Sequence, residues 1–307
     1  MSTLALITPS YRPDLEGFRR LHESVRRFTD DAVTHHVIVP ALDVKHFRSI
    51  GSDRLRVWTY QEVIPPGLVA TDRIADRMRK IPGWPSSVNC AALSRRRPWK
   101  PIRGWVLQQI VKMSMAHVLE ADVFVNVDSD VVLVRPLSVS GLMRDGAVRL
   151  YTLEDAVSPA MERHYRWCRT AHELLGLPWE GRATYPDHVA GLVTWDSEVL
   201  RRCLTRIEAV TGEPWAVAVA THLHFSEDIL YGTFVRASGS EADRSFQRDS
   251  TLCHSYWAPT PMGVSEAERF ISGFDDDHVA VHIQSNSDTD GSVVERVLTQ
   301  LRAAASS

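Results

Sequence analysis

The chain has 307 residues, of which 44% are hydrophobic, and this is enough apolar side chain to bury the core of one large α/β domain or two small ones. It carries 35 basic and 38 acidic residues, so its net charge of −3 creates no overall field that would attract a nucleic acid or an anionic membrane. The four cysteines form no CxxC pair, which argues against a zinc ribbon, a redox dithiol or a disulfide scaffold.

Predicted strands and helices alternate along the chain. Residues 4–7 form a short apolar strand that ends in Thr-Pro-Ser-Tyr, and apolar side chains at helical spacing follow from 15 to 28. Further strands are predicted near 35–39, 56–60, 123–127, 148–153, 189–195, 250–256 and 278–283. Further helices are predicted near 104–119, 160–175, 196–210, 214–221, 226–235, 265–272 and 291–304, and Asp196 is expected to cap the third of these. This alternation predicts an α/β fold in which helices flank a mixed, mostly parallel sheet, within a single domain over 1–307.

An apolar run over residues 123–136 is interrupted at its centre by Asp128 and Asp130. Because alternate residues of a strand share a face, we expect both carboxylates on one face at the carboxyl end of this strand, where α/β folds bind ligands. Two hard oxygen donors there favour Mg²⁺ or Mn²⁺, since the cation offsets the desolvation and the mutual repulsion of the pair. The two aspartates could also be solvated turn residues.

The predicted helix before this strand carries a polar stripe. Most of its positions are apolar, but Gln108, Gln109 and Lys112 interrupt the pattern. Offsets of three and four residues place Lys112 beside both glutamines. Because an unpaired buried ammonium is costly, we expect the stripe to line a polar cavity. An ordinary solvent-facing side of the helix would give the same pattern.

Residues 71–103 carry nine basic and two acidic side chains and several prolines, which favours a long functional loop. Lys100 and Arg103, near its end, could contact a diphosphate. The alternatives are an anionic acceptor site, an RNA or lipid-headgroup patch, or a solvated loop.

Three later segments carry candidate catalytic and metal-binding residues. Ser226 is a natural helix N-cap, and Glu227 and Asp228 in the first helical turn favour the helix dipole, which is itself a sufficient structural role. His282 lies in an apolar predicted strand, where a histidine is by default a hydrogen-bonded core residue. His254, in another predicted strand, is an alternative candidate ligand.

Together these motifs resemble those of GT-A glycosyltransferases, which have a Rossmann-like nucleotide-diphospho-sugar transferase fold. In that family the DxD carboxylates bind a divalent metal, and in its inverting members the aspartate of a Glu-Asp-Val-Tyr-Val-Gly type motif is the catalytic base. Glycogenin-like members complete the metal site with a late histidine and place a basic residue before the DxD motif, as Lys112 is placed here. This chain departs from those patterns, because Ile229 and Leu230 replace the usual pair and no Gly-x-x-Lys-Pro-Trp follows His282.

The resemblance implies a nucleotide-binding half over 1–137 and an acceptor-side half over 138–307. It implies Mn²⁺ or Mg²⁺ bound by Asp128, Asp130 and His282, with Asp228 as the catalytic base and Glu227 as the other catalytic candidate. Donor contacts are implied for Thr8, Ser10, Tyr11, Lys100, Arg103, Gln108, Gln109, Lys112 and Asp128. The implied reaction moves a sugar from a nucleotide-diphosphate sugar, with UDP-sugars favoured, to an unknown acceptor hydroxyl.

Two other interpretations fit parts of the sequence. In a haloacid-dehalogenase-like phosphohydrolase, Asp128 would be the phosphoryl nucleophile and residues 275–277 the late acidic group. A transferase-like protein could also bind a sugar nucleotide without turnover. The absence of a basic and apolar leader and of a membrane-length segment, together with cysteines expected to be reduced, predicts a cytoplasmic protein without a transmembrane segment.

Overall fold

The computed structural model describes residues 2–72, 91–96, 101–240, 243 and 245–304. Its strands are β1 Leu4–Pro9, β2 Thr34–Val39, β3 Leu55–Thr59, β4 Leu68–Ala70, β5 Ala92–Ser94, β6 Val123–Val127, β7 Val131–Leu133, β8 Met143–Arg144, β9 Ala147–Tyr151, β10 Leu153–Val157, β11 Tyr185–Asp187, β12 Leu192–Asp196, β13 Ser245–Arg248, β14 Cys253–Tyr256 and β15 Ala280–Ile283. Its α-helices are α1 Leu15–Phe28, α2 Val44–Arg48, α3 Tyr60–Val63, α4 Gly104–Ser114, α5 Val139–Leu142, α6 Glu162–Leu175, α7 Ser197–Thr211, α8 Trp215–Ala220, α9 Glu227–Ser238, α10 Val264–Ser272 and α11 Gly291–Ala304.

A five-stranded sheet in the order β12-β6-β1-β2-β3 forms the centre of the molecule. Strands β6, β1, β2 and β3 are parallel, and β12 pairs antiparallel with β6. The predicted α/β class and the mixed, mostly parallel sheet flanked by helices are therefore confirmed. A smaller sheet in the order β14-β15-β7 continues from the chain that leaves β6.

The order of strands in the central sheet predicts where a ligand-binding crevice lies. From β1 the chain adds β2 and β3 on one side, and it then returns to place β6 on the other side of β1. The order of strands thus reverses at β1 and β6, and in open α/β sheets such a switch point opens a crevice at the carboxyl ends of the strands. The segment that contains Asp128 leaves β6 at this edge.

Hydrophobic side chains cover both faces of this sheet. Every residue of β1 and β6 is buried, as expected for strands with helices on both sides. One apolar cluster packs α4, α6, α7, α8 and α9 on one face, and a second packs α1 on the other. Both clusters contain residues from before and after position 137, so the two predicted halves share one sheet and its cores.

Local sequence determines several of the observed ends of elements. The Asp196 carboxylate accepts from the backbone N–H groups of Glu198 and Val199 over 2.9 and 3.0 Å, which confirms it as the N-cap of α7. The predicted helix over 104–119 ends earlier, at Ser114, and continues as a 3₁₀ turn over Met115–His117. Strand β5 lies within the stretch 71–103 that the sequence predicts to be a loop, and β4 directly precedes that stretch.

Cys168, Cys203 and Cys253 are free and buried. Of the helices in the described ranges, none combines the length and the apolar character needed to cross a membrane.

Buried histidines are expected to make the fold sensitive to acid. Burial lowers the pKa of His36 and of His188 to about 4. The indole N–H of Trp58 also donates to Nδ1 of His36 over 3.1 Å, which requires an unprotonated Nδ1. In the unfolded chain a histidine has a pKa of about 6.5. Between about pH 4 and about pH 6.5 these histidines take up protons in the unfolded chain but not in the folded chain. Their contribution to the free energy of unfolding is therefore fully present above about pH 6.5 and is lost as the pH falls towards 4.

We expect urea unfolding to show a loss of about 2 kcal/mol per buried histidine between about pH 7 and about pH 4.5. The variant His36→Asn should lose less stability than the wild type over this range, because its side-chain oxygen can accept from Trp58 without taking up a proton. Equal losses in the two proteins would show that His36 does not contribute to the acid sensitivity.

Candidate functional site

A cavity of about 590 Å³ lies at the switch point of the central sheet. It brings together residues from α4, from the segment after β6 and from the start of α9. Six of its lining residues were predicted from the sequence as site residues: Gln108, Gln109, Lys112, Asp128, Glu227 and Asp228. The polar stripe predicted on α4 therefore does line a polar cavity.

Lys112 is the centre of a buried ion-pair network in this cavity. Its Nζ lies 3.0 Å from Oε1 of Glu227 and 3.4 Å from Oδ1 of Asp128. Burial acts to lower the pKa of Lys112, but the charges of Glu227 and Asp128 outweigh burial and raise it. The side-chain amide of Gln109 also contacts the carboxylate of Glu227. The Glu227 carboxylate is therefore occupied by Lys112 and Gln109.

Asp228 is also a buried carboxylate, but unlike Glu227 it is not paired with a basic side chain in the described part of the chain. It is 8% exposed, and its Oδ1 has no hydrogen-bond partner among the described residues. Burial raises its pKa well above the ordinary value, and the charge of Glu227 raises it further. Helix α9 does not use Asp228 as its cap, because Oγ of Ser226 accepts from the backbone N–H of Ile229. An unpartnered buried carboxyl group with a raised pKa is a candidate for proton transfer.

The two DxD aspartates lie in a turn. Strand β6 ends at Val127, and the backbone N–H of Val131 donates to the carbonyl oxygen of Asp128 over 3.1 Å. The carboxylates also face different partners, because Asp128 contacts Lys112 whereas Asp130 contacts His282. The prediction that both carboxylates lie on one face of a strand is therefore wrong, because the chain leaves the central sheet between β6 and β7.

Asp130 and His282 converge at the edge of the smaller sheet. Strands β7 and β15 pair antiparallel with Val131 opposite His282, and this register brings Nε2 of His282 to 3.3 Å from Oδ1 of Asp130. The backbone N–H of Ser285 donates to Oδ2 of Asp130 over 2.8 Å. Although burial opposes ionisation, the contacts with His282 and Ser285 lower the pKa of Asp130. Asp130 therefore remains charged at neutral pH.

The two candidate histidines have different surroundings. Nε2 of His254 lies 2.7 Å from the carbonyl oxygen of Phe270, so this nitrogen is occupied by the protein backbone. His282 is 1% exposed and faces Asp130, and the exposed ring of Trp257 packs over it at 4.3 Å between centroids. Position in the structure thus favours His282 over His254 as a metal ligand.

Asp14 belongs to the same acidic group but was not identified from the sequence. Oγ of Ser129 donates to Oδ2 of Asp14 over 3.2 Å, across 115 positions of sequence. Burial raises the pKa of Asp14, and the charges of Asp130 and Asp128 raise it further. Gly17 allows α1 to approach the turn this closely, because a Cβ there would lie 3.0 Å from the carbonyl oxygen of Ser129. In the sequence, Asp14 is recognisable only as an acidic residue before a predicted helix, and this pattern does not indicate a site residue.

Other predicted donor residues lie outside the cavity. Thr8 is fully buried, and its Oγ1 lies 3.0 Å from Nε2 of His35 in the protein interior. Ser10 is also buried, and Tyr11 is exposed. Arg103 lines an adjoining pocket. Lys100 and most of the predicted basic loop lie outside the described residues.

The late acidic residues required by the phosphohydrolase interpretation are engaged elsewhere. Oδ1 of Asp275 lies 2.8 Å from Nδ1 of His278, and Asp276 contacts Arg135 at 3.4 Å. Neither Asp275 nor Asp276 lines the cavity that contains Asp128. Within the described ranges, no three His, Cys, Asp or Glu side chains are grouped closely enough to hold a metal ion as they stand.

Comparison with known proteins gives one family and several structures of similar shape. The model of a family described as "Family of unknown function (DUF6492)" matches residues 3–306. No curated protein matches the sequence. A structure of the galactosyltransferase LgtC with donor and acceptor sugar analogs is similar at 14% identity and a TM-score of 0.48, over 98% of this chain and 95% of that one. An active-site mutant of LgtC is similar at 13% identity and a TM-score of 0.48 over the same shares. Mouse xyloside xylosyltransferase 1 is similar at 12% identity and a TM-score of 0.46, over 94% of this chain and 99% of that one.

Proposed function

The chain belongs to this family of unknown function, and we propose from its site that it is a metal-dependent glycosyltransferase of the GT-A type. The proposed reaction transfers a sugar from a nucleotide-diphosphate sugar, with UDP-sugars as the favoured donors, to an acceptor hydroxyl. One observation carries this proposal. A cavity at the switch point holds the buried, unpartnered carboxyl group of Asp228 together with Asp128, whose turn also carries Asp130.

The residues around Asp130 fit a divalent cation. Asp130 and His282 already direct an oxygen and a nitrogen towards each other over 3.3 Å, and the charges of Asp128 and Asp130 act on the nearby Asp14. Carboxylate oxygens and imidazole suit Mn²⁺, and carboxylates alone suit Mg²⁺. We propose that Asp128, Asp130 and His282 hold the ion, which would supply positive charge to the leaving diphosphate.

Lys112 retains one donor for the sugar nucleotide. A lysine ammonium has three N–H donors, and Glu227 and Asp128 take two of them. We propose that the third faces an oxygen of the donor, with Gln108 beside it in the cavity lining. The same network fixes the carboxylate of Asp128 and leaves Glu227 as a structural counter-ion rather than a base.

Asp228 is the proposed general base. Its carboxylate would accept the proton of the acceptor hydroxyl while that oxygen bonds to the anomeric carbon and the bond to the diphosphate breaks. A raised pKa makes the ionised carboxylate a stronger base, but the group must first lose its own proton. The cavity also includes the exposed rings of Trp105 and Trp257, which suit the apolar faces of sugars.

A thermal-shift panel of nucleoside diphosphates with and without Mn²⁺ tests this proposal. A ligand present at about 100 times its Kd stabilises the folded protein by about 2.7 kcal/mol. We expect a shift that requires both a nucleoside diphosphate and Mn²⁺, largest with UDP. If no nucleoside diphosphate stabilises the protein in either condition, the proposed function is wrong. A binding protein without turnover would give the same shift, so turnover needs the separate test of Asp228 below.

A further inference from the structure

A second pocket of about 310 Å³, here called the arginine pocket, adjoins the catalytic cavity. Its lining includes Arg103, Trp105, Arg163, Arg166, Leu223 and His224. Three residues, Trp105, Arg163 and Trp167, line both spaces and therefore form the wall between them. A molecule that reaches Asp228 through the catalytic cavity can thus extend along this wall into the arginine pocket.

The wall holds a cation over two stacked aromatic rings. The guanidinium of Arg163 lies 4.7 Å from the ring of Trp105 and 4.8 Å from that of Trp167, and these two rings stack at 5.9 Å. The indole N–H of Trp105 donates to the carbonyl oxygen of Phe225 over 3.0 Å, which fixes the ring. The exposed guanidinium of Arg163 is therefore held in place and still has N–H donors for a ligand.

The pocket has more positive than negative charge. Its lining includes three arginines and one carboxylate, Glu162. Arg166 forms an ion pair with Glu162 and donates to Nε2 of His224 over 3.1 Å. In the part of the chain that the structure describes, neither Arg103 nor Arg163 forms a salt bridge with a carboxylate. Two arginines thus face one pocket without counter-ions, which is an arrangement suited to binding an anion.

The positive charge of the arginine pocket lies apart from the end of the catalytic cavity where we propose that the metal binds. At that end the turn with Asp130 lines a different small pocket, and Gln284 lines both this pocket and the catalytic cavity. The cation there, Lys112, is already paired with carboxylates. The donor diphosphate would meet the metal at that end. The arginine pocket also exposes apolar surface, since Trp105 is 43% and Leu223 57% exposed.

We propose that the arginine pocket is an acceptor subsite for an anionic group, either a phosphate or a carboxylate, carried beside an apolar part of the acceptor. This assignment rests on the proposed glycosyltransferase function and names the class of its acceptor. Arg163 binds the anion at the wall, Arg103 completes its charge neutralisation, and Trp105 and Leu223 pack on the neighbouring apolar part.

The test uses small aromatic probes on the full chain, with and without saturating UDP and Mn²⁺. Phenyl phosphate, benzoate and neutral benzyl alcohol are titrated while the indole N–H signal of Trp105 is followed by NMR, assigned with Trp105→Phe. We expect phenyl phosphate or benzoate to bind the UDP-loaded protein at least about 10-fold more tightly than benzyl alcohol. Arg163→Gln should remove this preference. Arg169→Gln on the same helix should not, because Arg169 is exposed and paired with Glu173 at 3.0 Å.

Each outcome decides the assignment. Tighter binding of phenyl phosphate than of benzoate identifies a phosphate acceptor, and the reverse identifies a carboxylate acceptor. Equal binding of charged and neutral probes, or unchanged binding in Arg163→Gln, overturns the subsite. Displacement of the anion by UDP also overturns it, because the arginines would then serve the donor. If UDP itself fails to bind while the anions bind at Arg163, the proposed function fails and the pocket is an anion site of another activity.

Discussion

Replacement of Asp130 with asparagine is expected to weaken Mn²⁺-dependent binding of UDP by at least about 100-fold. Asparagine keeps the size of the side chain, and its oxygen can still accept from the backbone N–H of Ser285. It removes the negative charge that faces His282 at 3.3 Å, which is the proposed place of the cation. Titration calorimetry with and without Mn²⁺ measures the effect, and urea unfolding checks that the variant remains cooperatively folded.

A matched control is Asp276→Asn. This aspartate also contacts a basic side chain, Arg135 at 3.4 Å, but it lies outside the cavity and should leave UDP binding unchanged. Full metal-dependent affinity in Asp130→Asn would remove Asp130 from the proposed metal site. Loss of binding in both variants would point to a general effect of charge.

Replacement of Asp228 with asparagine is expected to leave UDP binding within about twofold of the wild type while slowing sugar transfer by about 10²- to 10⁴-fold. The carboxyl group acts on the acceptor hydroxyl in the proposed mechanism, so donor affinity does not depend on it. Its raised pKa also predicts that the wild-type rate increases with pH as Asp228 loses its proton. Release of UDP from UDP-sugars in the presence of an acceptor mixture measures both effects across a pH series.

The asparagine variant should also lose the part of the pH dependence that comes from Asp228. A variant with wild-type turnover would show that Asp228 is not the base, and its burial beside Glu227 would then need a structural explanation. If the wild type binds UDP with Mn²⁺ but transfers no sugar from any donor at any pH, the protein is a sugar-nucleotide binding protein.

Patterns within a single element predicted much of the fold. The periodic apolar residues of α1 and α7 and the capping carboxylate of Asp196 depend on neighbours within one or two turns, so a local pattern contains the information. The same holds for the polar stripe of α4, because an apolar helix with a lysine and two glutamines on one side must place them near polar groups. Strands β4 and β5 have only three residues each and gave no comparable pattern.

The site depended on contacts that no local pattern describes. Asp130 meets His282 because β7 and β15 pair in one particular register, and Asp14 meets Ser129 across 115 positions of sequence. Thr8 was expected near the donor, but β1 and β2 pair so that its hydroxyl contacts His35 instead. Only the family resemblance favoured Asp228 over Glu227, because no local pattern shows which carboxylate Lys112 on another helix will contact.

The most direct test of the central claim is a crystal structure with UDP and Mn²⁺, in which the anomalous scattering of manganese locates the ion. We expect one anomalous peak within about 2.5 Å of Asp130 and of Nε2 of His282, with the diphosphate of UDP on its other side and Lys112 near a phosphate oxygen. A bound nucleotide with no manganese at Asp130, or manganese bound elsewhere on the protein, would contradict it.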